Sequence, residues 1–476
     1  MNGARIATAL DDARRQRRGR HLLLPLLAAV AVAAAQASGG GVVTADSSAA
    51  IDAAKPQPID LPTTLRLAGA RNLDVQLARA RLAEAKAAHE SAVAQFFPWI
   101  SPGVSYRQHD HLLQDVFGNI ADVTKQSYTA GAALDVQMNL GDAIYQTLAA
   151  RQLVKAADEG LAAQRQDTLL AAAQGYFELA KAQGEIGVAR EALAVSEDYQ
   201  RQVREAITAG LTFKGDEYRV TAQTERYRLT ARQAEERARV AAARLAQTLR
   251  LNPAVLLVAR EDDLAPLTLV APDAALDALV RQALASRPEL RQSQAVAAAS
   301  RQTENGVVYG PLIPTIGGQA FGGGLGGGKN GAWGTLGETE DFAAFVGWRV
   351  GPGGLFDSGR IHAARSRSEI ARLNEEKRKD EIVREVVEAR TRAQSFAEQV
   401  ETAKRALGAA TETVRLTRER KAFAVGIVLE NIQALQDLAR AREDYLTAVA
   451  AACQAQFALS RAIGGPLAAP DPAPAP

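Results

Sequence analysis

Cysteine occurs once in the 476 residues, at Cys453, so no intramolecular disulfide can staple the chain. Its helical surroundings read as those of a buried small apolar side chain. Aromatic residues are only 5% of the total, which excludes bulky single cores and, with abundant alanine and charge, points to long, closely packed helices. Past the first 37 residues no run of about 18 apolar residues survives, so no transmembrane helix is available. Any membrane crossing must therefore be made by strands. No G-x-S-x-G or comparable nucleophile motif is present, and carboxylates are scattered over helix faces, so catalysis has no seat.

Gly323 to Lys329 spells G-G-L-G-G-G-K, close to a phosphate-binding loop, but Asn330 stands where a serine or threonine would hold magnesium. The segment reads as a flexible loop between two hairpin strands, with Phe117-Gly118-Asn119 as its counterpart. His89, His109, His111 and His362 are the histidines after residue 37, and none pairs at helical i, i+4 spacing. His109 and His111 flank Asp110 at a strand end, where a solvated loop is the plain reading and a weak metal site the other. No metal and no cofactor is expected.

Residues 1–37 read as a secretory signal: Arg14, Arg15, Arg17, Arg18 and Arg20 precede an apolar run from Leu22 to Ala35, followed by the small-residue pattern Ala35-Gln36-Ala37. No cysteine stands at the cleavage point, which excludes an N-terminal lipid anchor. With six arginines against two aspartates, the segment holds a net four positive charges, and its removal moves the chain from +2 to −2. A nucleic-acid partner loses its electrostatic support.

The remainder repeats itself at an offset of 216 residues: Arg71 with Arg287, Pro98-Trp99-Ile100 with Pro314-Thr315-Ile316, and Gly210 with Gly426. The expected organisation is an extension over 38–61, a first repeat over 62–251, a proline-bearing linker over 252–272, a second repeat over 273–464 and a disordered Ala/Pro tail over 465–476. Each repeat reads as a short helix, a middling helix, two strands, one very long helix, a turn and another long helix. Sevenfold spacing marks the long helices, as in Leu179, Ile186 and Leu193, in Ile382, Ala389, Phe396, Ala403 and Ala410, and in Leu438, Tyr445, Ala452 and Leu459. Strands are expected at 100–109, 127–140, 315–321 and 342–350.

Those strands alternate. Tyr128, Ala130, Ala132, Leu134, Val136, Met138 and Leu140 fall on one face, and Asp135, Gln137 and Asn139 on the other. Ile100, Val104 and Tyr106 likewise oppose Ser101, Ser105, Arg107 and His109, and Phe342, Ala344, Val346, Trp348 and Val350 oppose Arg349. Apolar outside and polar inside is the pattern of a barrel strand in lipid, and also of a half-buried soluble sheet. On the barrel reading Arg107, Asp135, Gln137, Asn139 and Arg349 face a lumen. Trp99, Tyr128, Phe342 and Trp348 then mark the membrane interfaces, ordinary corner packing being the other reading. Four strands are too few to close a barrel within one chain, and an open edge cannot sit in lipid, so several copies must contribute.

Two repeats of two strands and two long helices behind a signal resemble the TolC-like outer-membrane efflux family over nearly the whole mature chain. Phe356-Asp357-Ser358-Gly359-Arg360 is similar to the family's entry into the second long helix, with Leu140-Gly141-Asp142 as a weaker partner. Ala209-Gly210-Leu211 before Asp216, and Ala424-Val425-Gly426 before Glu430, resemble the two periplasmic turns. The resemblance implies a mainly α fold with a small membrane β-barrel: a homotrimer whose long antiparallel coiled-coil helices form an α-barrel and whose strands total twelve. It further implies a passive exit duct in the outer membrane, with a periplasmic adaptor and an inner-membrane transporter as partners in efflux or type I secretion. Asp216 and Glu430 correspond to acids ringing the closed periplasmic tip. Two departures stand out: Gln433 occupies the place of a second ring acid in a turn about two residues short, and Phe423 replaces a tyrosine whose hydroxyl would bond the tip acid. The competing readings are a periplasmic coiled-coil adaptor or a structural tether of the envelope.

Overall fold

A computed structural model of the chain describes residues 56–252, 254–260, 264–329, 332–422 and 428–467. The secretory segment, most of the extension before residue 62 and most of the Ala/Pro tail lie outside the described residues. So do Phe423 and Gly426, the predicted gate phenylalanine and the glycine of the second turn.

The two halves supply matching elements. Helix α1 (Leu61–Arg71) and α2 (Leu73–Ala94) precede strands β2 (Trp99–His109) and β5 (Lys125–Asn139), then α3 (Leu140–Thr208) and α4 (Lys214–Thr248). The second half runs α5 (Leu276–Ser286), α6 (Pro288–Tyr309), β7 (Thr315–Lys329), β8 (Gly337–Gly347), α7 (Ser358–Ala422) and α8 (Val428–Ala462). A short hairpin of β3 (Leu112–Gln114) and β4 (Ile120–Asp122) joins β2 to β5, and β1 (Gln57–Ile59) pairs in parallel with β6 (Leu257–Ala259). With 69 and 65 residues, α3 and α7 each extend roughly 100 Å.

Alanine at the seams sets how these helices meet. Ala189, Ala231 and Ala234 let α3 and α4 approach closely, and Val75, Ala78 and Leu161 join α2 to α3. Helix α3 is flanked by α2 and α6 along one half and by α4 and α8 along the other, while α7 packs on α6 and α8. Bulk appears mainly at mid-length. There Tyr176, Phe177 and Phe457 are fully buried, with ring centroids 5.6 and 5.8 Å apart, beneath α1 and the β1–β6 ribbon. Each such side chain contributes about 2–3 kcal/mol by leaving water.

The four long strands form one antiparallel sheet in the order β2-β5-β7-β8. Two sequence expectations need correction. Strand β7 does not stop at 321 but continues to Lys329, so the glycine run is strand and not loop. Its bare positions admit other groups: a Cβ at Gly326 would lie 2.3 Å from the Tyr128 ring, and one at Gly324 2.7 Å from Leu336. The fourth strand spans 337–347 and not 342–350. Its leading Glu338 and Glu340 hide it from a search for apolar alternation. As a result Trp348 and Arg349 fall in the turn after β8, and Arg349 is no strand residue.

Among the described residues no helix is long and apolar enough to cross a membrane.

Candidate pore and periplasmic gate

Directly paired residues in adjacent strands share a face, so register divides the sheet into two surfaces. One carries Ile100, Val104 and Tyr106 of β2, Tyr128 to Met138 at even positions of β5, Ile316 and Ala320 of β7, and Phe342, Ala344 and Val346 of β8. Large residues on it are open to the surroundings, as Val104 at 76% and Phe342 at 79% exposure show. The opposite surface carries Ser105, Arg107, Asp135, Gln137, Asn139, Thr315 and Gln319, with the apolar Phe321, Leu325 and Phe345 among them. Several of the polar side chains bond across strands: Gln319 Nε2 donates to Asp135 Oδ1 at 2.9 Å, Thr315 Oγ1 to Asn139 Oδ1 at 2.8 Å, and the Ser105 and Thr129 hydroxyls meet at 2.6 Å. Trp99 pairs with Asp135 and so belongs to the polar surface, away from Ile100 and Val104. His109 and His111 do not converge. The ring of the first contacts Leu112 O at 3.2 Å, and that of the second lies 3.9 Å from Asp122.

The strands enter the helices through the two motifs singled out from the sequence, and these motifs touch. Asp357 caps α7 by accepting from the Arg360 N–H at 3.0 Å and from the Gly353 N–H at 2.9 Å, bonds that hold its carboxyl below the usual range. Arg360 in turn lies 3.6 Å from Asp142 at the start of α3 and donates to Gly353 O. Trp348 Nε1 donates to Leu312 O at 3.1 Å, fixing the end of β8. Beside Asp142, Gly141 meets the backbone of Gly310 so closely that a Cβ would lie 2.1 Å from its carbonyl oxygen. Gly141→Ala is therefore expected to force the backbones apart at a cost of about 1–3 kcal/mol. A lowered thermal midpoint of the purified protein would show it, whereas an unchanged midpoint would mean that the approach is not needed.

At the far end of α3 the chain reverses at Gly210, whose φ of +73° suits glycine, with the Leu211 N–H bonded to Ala206 O. Asp216, in the first turn of α4, accepts from Thr212 Oγ1 at 3.1 Å and from Arg219 Nη1 at 3.3 Å. Glu430, in the first turn of α8, pairs with Arg420 of α7 at 2.5 Å. Each acid at the tip thus has its own arginine, a partner the sequence reading overlooked although Arg219 stands three residues along the same helix. Arg204 and Glu217 tie α3 to α4 at 3.0 Å. Between the helix pairs, Tyr199 of α3 hydrogen-bonds the buried Asn431 side chain of α8, and Gln436 of α8 donates to Gln223 of α4 at 2.6 Å. Burial pushes the Tyr199 hydroxyl above its usual range.

Both halves of the chain, with their strands and long helix pairs, fall within one known family. The outer membrane efflux protein model matches residues 64–250 and 279–465. This chain belongs to the outer membrane efflux protein family. No curated relative matches it. Among solved structures, the Campylobacter jejuni CmeC outer membrane channel is similar at a TM-score of 0.74 and 16% identity, over 85% of each chain. The Vibrio cholerae outer membrane protein VceC gives 0.70 and 17%, over 85% of this chain and 96% of that one. The open-state Neisseria gonorrhoeae MtrE outer membrane channel gives 0.69 and 18%, over 85% and 89%. This efflux family member is an outer-membrane protein of mainly α fold with a small membrane β component.

Proposed function

We propose that this efflux protein is the passive exit duct of a tripartite efflux or type I secretion system. It works as a homotrimer docked to a periplasmic adaptor and an inner-membrane transporter, and performs no chemistry. The observation that carries this reading is the four-stranded sheet, mostly apolar on one face, with its hydrogen-bonded polar side chains on the other, and, among the described residues, unpaired along both edges β2 and β8. Three sheets joined edge to edge give twelve strands with their apolar faces in lipid and their polar faces around water. Arg107, Asp135, Gln137 and Asn139 then line the lumen. The four long helices of each copy extend the conduit into the periplasm.

At the tip, three copies of Asp216 and Glu430 concentrate six carboxylates about one axis. Arg219 and Arg420 offset part of that potential, so the ring is a weaker cation site than six free acids would make. Removing both carboxylates leaves the arginines in place and reverses the local sign. In planar bilayers Asp216→Ala with Glu430→Ala is expected to raise single-channel conductance and to weaken block by multivalent cations about tenfold or more, equivalent to about 1.4 kcal/mol. Unchanged conductance together with unchanged block would remove both acids from the gate.

A further inference from the structure

At the end of the sheet remote from the helices, residues 332–336, which lead into β8, fold back over the apolar face. Gln126 Nε2 donates to Ala332 O at 2.9 Å, and the Tyr128 hydroxyl donates to Gly334 O. The room is supplied by glycine: a Cβ at Gly328 would lie 2.1 Å from Ala332 O. This fold-back sets Trp333 against two tyrosines, stacked on Tyr106 with centroids 5.9 Å apart and planes 24° apart, and 5.5 Å from Tyr128. Trp333 nevertheless stays 67% exposed. A large aromatic surface is thus fixed in place by a dedicated loop and left uncovered.

Its height is set by the strand. From Met138, next to the helices, to Tyr128 is ten residues, and at about 3.4 Å per residue with a tilt near 40° that is roughly 25 Å, the height of an apolar barrel band. The aromatic surface therefore lies at the headgroup level of the outer leaflet, on the duct reading that this inference rests on. Beyond it the chemistry turns polar without turning basic. The Tyr106 hydroxyl is shared between Gln108 Oε1 at 2.9 Å and Gln126 Oε1 at 3.1 Å, and Gln108 Nε2 donates to Asp110 at 2.9 Å. On this face Glu338 and Glu340 pair with Gly324 and Gly322, in register with Ala130 and Ala132 and so on the helix side of Tyr128, whereas Arg107, Lys125 and Lys329 lie on the other face.

We propose that Trp333, held by Tyr106 and Tyr128 and bordered by Gln108, Gln126 and Asp110, docks the saccharide of an outer-leaflet glycolipid. A pyranose ring lays its C–H face on an indole, and its hydroxyls exchange hydrogen bonds with amides and carboxylates. A phosphate would need cations, and the polar border offers two amides and the Asp110 carboxylate in their place.

The test uses full-length detergent-purified protein carrying Trp99→Phe and Trp348→Phe, so that Trp333 is the one tryptophan. Titration with lipopolysaccharide bearing core sugars is expected to shift Trp333 emission saturably. Lipid A without core sugars, and phosphatidylglycerol, are expected to bind at least tenfold more weakly. In otherwise wild-type protein Trp333→Leu should lower lipopolysaccharide affinity about tenfold, read by co-migration on native gels, while channels still form in planar bilayers. Equal responses to all three lipids, or unchanged affinity of Trp333→Leu, would overturn saccharide docking and leave the duct standing. Failure of the unmutated protein to form channels would sink the duct reading itself.

Discussion

Arg287→Ala is expected to cost about 3 kcal/mol of stability and to deplete the protein from the outer membrane. Arg287 is among the largest fully buried side chains of the described residues, at 2% exposure, and it stands where α5 ends and α6 begins. Its guanidinium meets Glu289 at 3.1 Å and also pairs with Glu385 of α7, while Arg461 of α8 joins Glu289 and lies 2.6 Å from Asp167 of α3. One network therefore fastens four helices where α8 stops and α6 starts. Removing its central cation strands carboxylates, a loss of about 3–5 kcal/mol for a buried pair, and Glu385, about a third exposed, puts the value near the lower bound. Arg287→Met with Glu289→Gln and Glu385→Gln leaves no charge stranded and is expected to recover most of the loss. Burial opposes ionisation of Glu289, but the Arg287 hydrogen bond and the charges of Arg461 and Arg287 outweigh it and hold its carboxyl below the ordinary 4.5. A depressed folded value contributes stability at neutral pH that is lost as pH falls below about 4.5. Denaturant titration at pH 7 and at pH 3.5 should accordingly show a smaller Arg287→Ala penalty in acid. Equal penalties at both pH values would mean that ionisation of the network is irrelevant to its hold.

The long helices and their seams were legible because a single cause, the sevenfold recurrence of small apolar residues, writes both. Leu179 and Ile382 are completely buried, as the spacing requires. Strand faces were legible wherever alternation is carried by side chains, as from Tyr128 to Asn139. Where glycine replaces side chains no alternation can be read, and β7 beyond Phe321 was mistaken for a loop even though it pairs with β5 residue by residue to Lys329. Trp333 escaped notice for a related reason, since its meaning depends on Tyr106 and Tyr128, more than 200 residues away in sequence. The tip arginines were visible but unweighed. Arg219 lies one helical turn from Asp216, whereas the pairing of Arg420 with Glu430 needs the α7–α8 hairpin to bring them together. Position along the chain nominated the acids, and geometry adds their counter-charges.

Leu229→Asp is expected to abolish assembly outright and with it all channel activity. Every layer of the protomer ends on the same two free sides: β2 with α2 and α4 on one, β8 with α7 on the other. On α4 the exposed apolar residues Tyr218 at 67%, Leu229 at 60% and Val240 at 42% recur every eleven residues, three helical turns, and so form one straight stripe. Helix α7 presents Ile370, Leu373, Val387 and Leu416, also exposed. In the proposed trimer the α4 stripe of one copy meets the α7 stripe of the next, and the contact closes after three steps. An aspartate in that seam must be desolvated without a partner three times over, at several kcal/mol each, more than one seam residue contributes by packing. Leu229→Met keeps the volume and should assemble normally. Heat-modifiable mobility on detergent gels and sedimentation in detergent will report the trimer, and planar bilayers its conductance. A Leu229→Asp protein that still sediments as a trimer and still conducts would place the contact between copies on some other face of α4.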